Sequence, residues 1–481
     1  MLQRIAIIVI VALVFSVLAA PALGGWYLSR HHDRYAKRMA IPGVLELGPT
    51  SIRRGWFRSE SLITLVPADR FCRQPPCPPI RLNSVIHHGP LPFTAPGTLS
   101  GFLKLARGIV VTTVDYAPIL SAFDFSEPVQ PLQVSSHIGL DGEVTTEIDM
   151  PAMLQEMQGD PISGRLRTDR LTGSLHVPGD RSSVSADMAV PRVKWVGNES
   201  GQFDLINLAL SASGEGRRGT LIDQQQLEFD SLQIASRKGD ALAMQDVAFE
   251  VERLPTEPGL VSADVNLRVS QLESRGEQYG PAVLDGRLSN IDIATVNALQ
   301  REWRALRREQ RASATQGADT TETLAGMAMQ RIHLAQFLRH SPEIRINRLL
   351  LATGQGDVSG ELHLRVAPAA ADSADSEAAT GLTALINRLI GDGELRLPVP
   401  LVRQLVGFVQ ARRSQVGSLP PSRDDVDDRL QRWEEQGLLQ PVESENAYLM
   451  ELALRDGVLS VNGTPRDHWS DLAEEFSQSP R

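Results

Sequence analysis

The side chains best suited to chemistry cluster in three short stretches near the start of the chain. His87-His88, followed by Gly89-Pro90-Leu91-Pro92, sets two imidazoles side by side, and His88 could act as a base, a ligand or a turn residue. No carboxylate or nucleophile stands at a recognisable spacing from it, so a structural role is the expectation. The chain has two cysteines, Cys72 and Cys77, enclosing Arg-Gln-Pro-Pro. That spacing fits a local disulfide in an oxidising compartment. Zinc would need two more ligands, for which His87 and His88 are the candidates, and a pair of free thiols lies between these readings. In Arg53-Arg54-Gly55-Trp56-Phe57-Arg58-Ser59-Glu60, two aromatics sit among arginines. A turn whose aromatics cap a core is expected; a cationic, aromatic patch facing headgroups or a ligand is the alternative.

No Gly-rich phosphate loop, nucleophile elbow, HExxH, CxxC or EF-hand pattern occurs. The chain is therefore expected to be non-enzymatic, with no catalytic residue, cofactor or metal. A hydrolase using His88 with a partner distant in sequence is the less favoured reading. Net charge is −10, from 48 basic and 58 acidic residues spread without a basic block, which argues against a nucleic-acid partner.

The elements that must position these residues begin with Ile5 to Leu28, an uncharged apolar run. As a helix it would extend roughly 36 Å, enough to cross a hydrocarbon core of roughly 30 Å. Residues 1–29 are thus expected to form a single-pass transmembrane anchor in the bilayer, with Trp26 and Tyr27 at its interface. A cleaved signal peptide ending at Ala20-Pro21-Ala22 is the competing reading. Arg30, Arg34, Lys37 and Arg38 outnumber Arg4, a bias that taken alone would keep the following domain in the cytoplasm, but large domains are translocated largely regardless of flank charge. The cysteines also favour the far side, so the expectation is an inner-membrane protein with its large domain in the periplasm.

With 481 residues, two lobes are expected, at 30–312 and 313–466, followed by a polar tail at 467–481. Period-two alternation marks Val144–Met150, Val184–Val190, Val247–Val251 and Ala263–Val269 as antiparallel strands covering a core on one side. Asp141-Gly142, Thr172-Gly173, Ser213-Gly214 and Lys238-Gly239-Asp240 read as turns between strands. Helical spacing predicts a basic amphipathic helix from Asp292, a second helix over Glu322–Arg339, and further helices at Gly381–Ile390, Val399–Arg412 and around Val426–Trp433, the last ending at Gly437. The expected fold is α+β and β-dominated, with extended antiparallel hairpin sheets and several packed helices after the anchor. The recurrence of a polar residue, Gly and then a strand is hairpin grammar, or the mark of a long curved sheet with an apolar concave face.

Taken together, Arg54-Gly55-Trp56-Phe57, His88-Gly89-Pro90, Ser341–Asn347 leading into Thr353-Gly354, and Asp456-Gly457 through Asn462-Gly463 make the chain resemble the YdgA-like family of bacterial envelope proteins, a domain of unknown function. The resemblance spans almost the whole chain and departs from the family at Cys72 to Pro79. It implies a periplasmic domain held at the inner membrane, and no known catalytic activity. Binding of lipid or another apolar ligand is the expected role, with a scaffold contacting another envelope protein as the alternative.

Overall fold

The computed structural model describes residues 45–67, 77–89, 106–115, 124–125, 131–158, 163–198, 201–215, 223–236, 241–254, 256–257, 259–274, 276–292, 340–367, 388–413, 423–455 and 457–466, together with 32, 34, 36 and 37. The chain forms two compact units, residues 1–247 with 274–276 and residues 248–273 with 277–481.

Strands of the first unit are β1 (Leu45–Arg53), β2 (Arg58–Pro67), β3 (Ile80–His88), β4 (Gly108–Asp115), β5 (Asp124–Phe125), β6 (Leu132–Ile138), β7 (Val144–Met150), β8 (Met153–Gln158), β9 (Gly164–Thr168), β10 (Leu171–Val177), β11 (Ser183–Gly197), β12 (Gln202–Glu215) and β13 (Gln224–Ala235). They pair antiparallel in the order β1-β2-β3-β4-β6-β7-β10-β11-β12-β13. A branch, β5-β8-β9, joins the far half of β11. Pro191 sits at the fork, between the residues of β11 that pair with β10 and those that pair with β9, where its missing N–H breaks no ladder bond. Apolar positions also change phase there, from even numbers (Val184 to Val190) to odd (Val193, Trp195). Asn207 in the adjacent β12 adopts a left-handed φ of 55° at the same level.

The chain passes into the second unit within β14 (Ala241–Leu254). There follow β15 (Leu260–Ser274), β16 (Glu277–Asp292), β17 (Glu343–Thr353), β18 (Gly356–Val366), β19 (Leu389–Pro398), α1 (Val399–Arg413), α2 (Arg423–Glu435), β20 (Gln440–Val442), β21 (Ala447–Arg455), β22 (Val458–Val461) and β23 (Thr464–Arg466). Antiparallel pairing runs β16-β17-β18-β19-β21-β22-β23, with β20 beside the first half of β21. Both helices lie on the sheet: Val402 and Val406 of α1 and Val426 and Leu430 of α2 close a core with Leu439 and Tyr448. The Tyr448 hydroxyl donates to Glu434 Oε1 at 2.6 Å. Burial, the carboxylate partner and the charge beside it all raise the phenol above its ordinary range. Asp424 and Asp425 suit the N-terminus of α2, and Gly437, at φ 71°, closes its end.

Three expectations are corrected. A sheet clothed by several helices is not what the described residues form: apart from Arg388 and the helical residues around His32 and Ala36, α1 and α2 are their only α-helices, and nearly everything else is antiparallel strand. The helices expected from Asp292 and over Glu322–Arg339 fall outside the described residues beyond Asp292, which ends β16, and Leu389-Ile390 begin β19 instead of ending a helix. Nor is the single-pass, inner-membrane transmembrane helix found: no helix among the described residues is long and apolar enough to cross a membrane, and residues 5–28, on which that expectation rested, lie outside them.

The third correction concerns glycine. Gly173 and Gly214, expected in turns, lie within strands, as do Gly360, Gly391 and Gly393 of the recurrence. A Cβ on Gly360 would stand 2.7 Å from the Glu394 carbonyl oxygen, and one on Gly391 2.9 Å from Leu364 Cδ1. Glycine here lets neighbouring strands and leucines close over the backbone. Asp141-Gly142 keeps its turn, with Gly142 at φ 95°.

Candidate functional site

Register brings the Arg53–Glu60 stretch and the histidine pair together. In the hairpin β1–β2, Gly55 turns the chain where a Cβ would overlap the Arg58 carbonyl oxygen. That turn leaves Trp56 59% and Phe57 38% exposed, so these aromatics do not cap a core. Two residues later Ser59 faces inward, and the β2–β3 register sets it diagonally from His88. Ser59 Oγ lies 2.8 Å from His88 Nε2. Both are buried, at 0% and 3% exposure, and His87 is buried beside them. Gly89 is held against β4 by its N–H, which donates to the Arg107 carbonyl at 2.8 Å, and a Cβ there would overlap the Ala106 carbonyl oxygen.

Burial, with His87 and Arg54 close by, lowers the His88 pKa; burial and Arg58 lower that of His87. Both imidazoles are therefore neutral at pH 7. A serine hydroxyl against a neutral imidazole is the geometry of a nucleophile and its base. Here the hydroxyl is wholly covered, and its bond to His88 serves as a buried cross-strand tie. A second tie pairs His32 Nε2 with Ser61 Oγ at 2.6 Å and fastens the helical residues around Ala36 over Ile63 and Leu65.

These histidines give a pH prediction. A folded pKa below the ordinary 6.5 means that the unfolded chain binds more protons, so stability is complete above about pH 6.5 and falls as pH drops through the folded values. Urea midpoints of the first unit should decline below pH 6.5, with a slope of up to about 1.4 kcal/mol per pH unit for each histidine. His88→Gln should flatten the profile; an equal slope in that variant would remove His88 from the account.

Beyond this covered end the same face of the sheet is apolar and open. One ladder row runs Ser61, Ser84, Thr112, Val134, Ile148, Gly173, Met188, Leu210, Leu227, each directly opposite the next. Its first members are hydroxyls, with Ser84 Oγ and Thr112 Oγ1 2.9 Å apart. From Val134 onward it is carbon and glycine. At about 4.8 Å per strand, Val134 to Leu227 spans about 24 Å. The rows on either side add Leu175 and Ala186, and Leu132 and Val190. Most of these side chains are half-buried, whereas Gln133, Glu147, Ser174 and Asp187 on the opposite face are exposed. Sequence alternation foretold such a one-sided surface, but its continuity from strand to strand is a property of register.

Two of the remaining motif stretches lie at turns. Thr353 Oγ1 donates to the Gly356 carbonyl at 2.7 Å and accepts the Gln355 N–H at 3.1 Å, bracing the β17–β18 turn, where Gly354 has open space around it. Asn462, at φ 49°, accepts the Glu451 N–H at 2.7 Å and donates to the Gly437 and Leu438 carbonyls at 3.1 and 3.2 Å, binding the end of α2 to β21. Gly463 follows at φ 77°. Cys77 is disulfide-bonded; Cys72, the other cysteine, and Pro90 lie outside the described residues. Among the described residues no group of three or more His, Cys, Asp or Glu is placed to hold a metal. Ser59 is the residue sequence reasoning missed. Its one signal is a hydroxyl in phase with the apolar positions Ile63 and Leu65.

Such a one-sided antiparallel sheet with a fastened end is a β-rich architecture. The chain belongs to the family described as bacterial protein of unknown function (DUF945), whose model matches residues 2–467. No curated protein and no solved structure matches the chain.

Proposed function

We propose that the first unit binds the acyl chains of a lipid along the open apolar face of β6, β7 and β10–β12. The observation that carries this reading is the row from Val134 to Leu227, carbon-lined over about 24 Å yet left half-exposed by the protein's own packing. Water against so long a strip of side chains is unfavourable at about 25 cal/mol per Å², and a flexible acyl chain laid across the strands displaces it without leaving a polar group unpaired. The span exceeds the roughly 15 Å depth of one leaflet's hydrocarbon.

An exported, periplasmic setting accompanies this role and is supported by the Cys77 disulfide, since such bonds persist in oxidising compartments. The motifs given above support grouping the chain with the YdgA-like members of its family, as a non-catalytic protein of the cell envelope. A fluorescent acyl probe should bind the purified protein saturably and be displaced by phospholipid. Probe emission that rises linearly with concentration, with no saturation, would contradict the reading.

A further inference from the structure

We propose that the β1–β2 tip docks on an anionic lipid surface. This stands on different residues from the acyl-binding face and does not depend on it. Three observations meet at the tip. Gly55 forces a tight turn that pushes the next two side chains outward, and both are aromatic: Trp56 is 59% and Phe57 38% exposed. Indole and phenyl rings on a turn are suited to the bilayer interface, where the ring is half in hydrocarbon and half in water. Around them Arg53, Arg54 and Arg58 are exposed. Glu60 offsets part of that charge, accepting from Arg53 at 2.7 Å and from Arg58 at 3.0 Å. Three guanidiniums against one carboxylate leave the tip cationic in a protein whose net charge is −10. Local charge of the opposite sign to the whole is what an anionic headgroup layer selects, whereas a general acidic surface would be repelled.

The tip is also rigidly backed. Ser59, the second residue of β2, is tied to His88, and the His88 N–H donates to the Phe57 carbonyl at 2.8 Å. Docking would therefore cost little ordering, and it would orient the unit that carries the tip.

The test uses the full chain mixed with vesicles containing brominated lipids, either zwitterionic or with about a third phosphatidylglycerol, and follows tryptophan quenching. The chain has 6 tryptophans, so the Trp56 contribution is the difference between the parent and Trp56→Phe. Quenching of Trp56 is expected on the anionic vesicles and not on the zwitterionic ones. The docked-to-free ratio should fall about fivefold for each of Arg53→Gln and Arg54→Gln, and 0.5 M salt should largely abolish it. Equal quenching of parent and Trp56→Phe on anionic vesicles would overturn the proposal. So would a photo-crosslinker at position 57 that, in cells, labels one protein stoichiometrically and no lipid. Near-ultraviolet circular dichroism of each variant identifies any loss caused by misfolding, in which case Trp56→Tyr, which keeps an interfacial ring, must restore docking.

Discussion

Gly89→Ala is expected to prevent stable folding of the first unit. The methyl group would be driven into the Ala106 carbonyl, which is backbone and cannot rotate away, and would stand 2.9 Å from the Arg107 carbonyl carbon. Relief requires parting β3 from β4, with loss of the Gly89 N–H bond to Arg107 and exposure of the His88–Ser59 tie. A cost above about 4 kcal/mol follows, at the extreme end of single substitutions. Gly463→Ala is the control: Gly463 has φ 77° but nothing within 4 Å of an added Cβ, so only the backbone cost of about 1–2 kcal/mol applies. Urea unfolding followed by tryptophan emission distinguishes them. A Gly89→Ala protein within 1 kcal/mol of the parent would show that the close approach of β3 and β4 is not required.

The second large effect concerns the open apolar face proposed to bind acyl chains. Ile148→Lys with Leu210→Lys places two ammonium groups on the open row, on strands separated by β10 and β11. Desolvating such charges beneath a hydrocarbon chain should weaken acyl-probe binding by about 100-fold, or about 2.8 kcal/mol. Because both side chains are half-exposed, lysine should leave the fold intact. Gln133→Lys with Ala209→Lys, on the opposite face of the same sheet, should bind the probe as the parent does. This contrast turns on a one-residue alternation, so equal losses in both pairs would mean that the probe responds to charge in general and not to one face.

How much could be read from the residues is clearest element by element. Alternation in Val144–Met150 and Val184–Val190 was legible because a half-covered strand must repeat every two residues. The end of α2 at Gly437 was legible for the same local reason, a left-handed closure that glycine adopts at little cost. Gly173 and Gly214 were misread because a polar residue followed by glycine looks alike in a turn and in a crowded strand; only the neighbouring chain, whose Asp187 carbonyl oxygen would stand 3.1 Å from a Cβ on Gly173, distinguishes them. Ser59 and His88, 29 residues apart, meet only through the register of β2 on β3, as does the continuity of the apolar row across strands as distant in sequence as β6 and β13. The exposure of Trp56 and Phe57 overturned the expected inward cap, since a turn with two aromatics carries no local mark of the side they face.

The central claim is that the open face of the first unit holds lipid acyl chains. The most direct measurement is mass spectrometry of organic extracts from the protein purified without detergent, beside the Ile148→Lys, Leu210→Lys variant prepared identically. A lipid near one equivalent in the parent and depleted at least tenfold in the variant is the predicted result. Extracts equally poor in lipid from the two folded proteins, or equally rich, would contradict it.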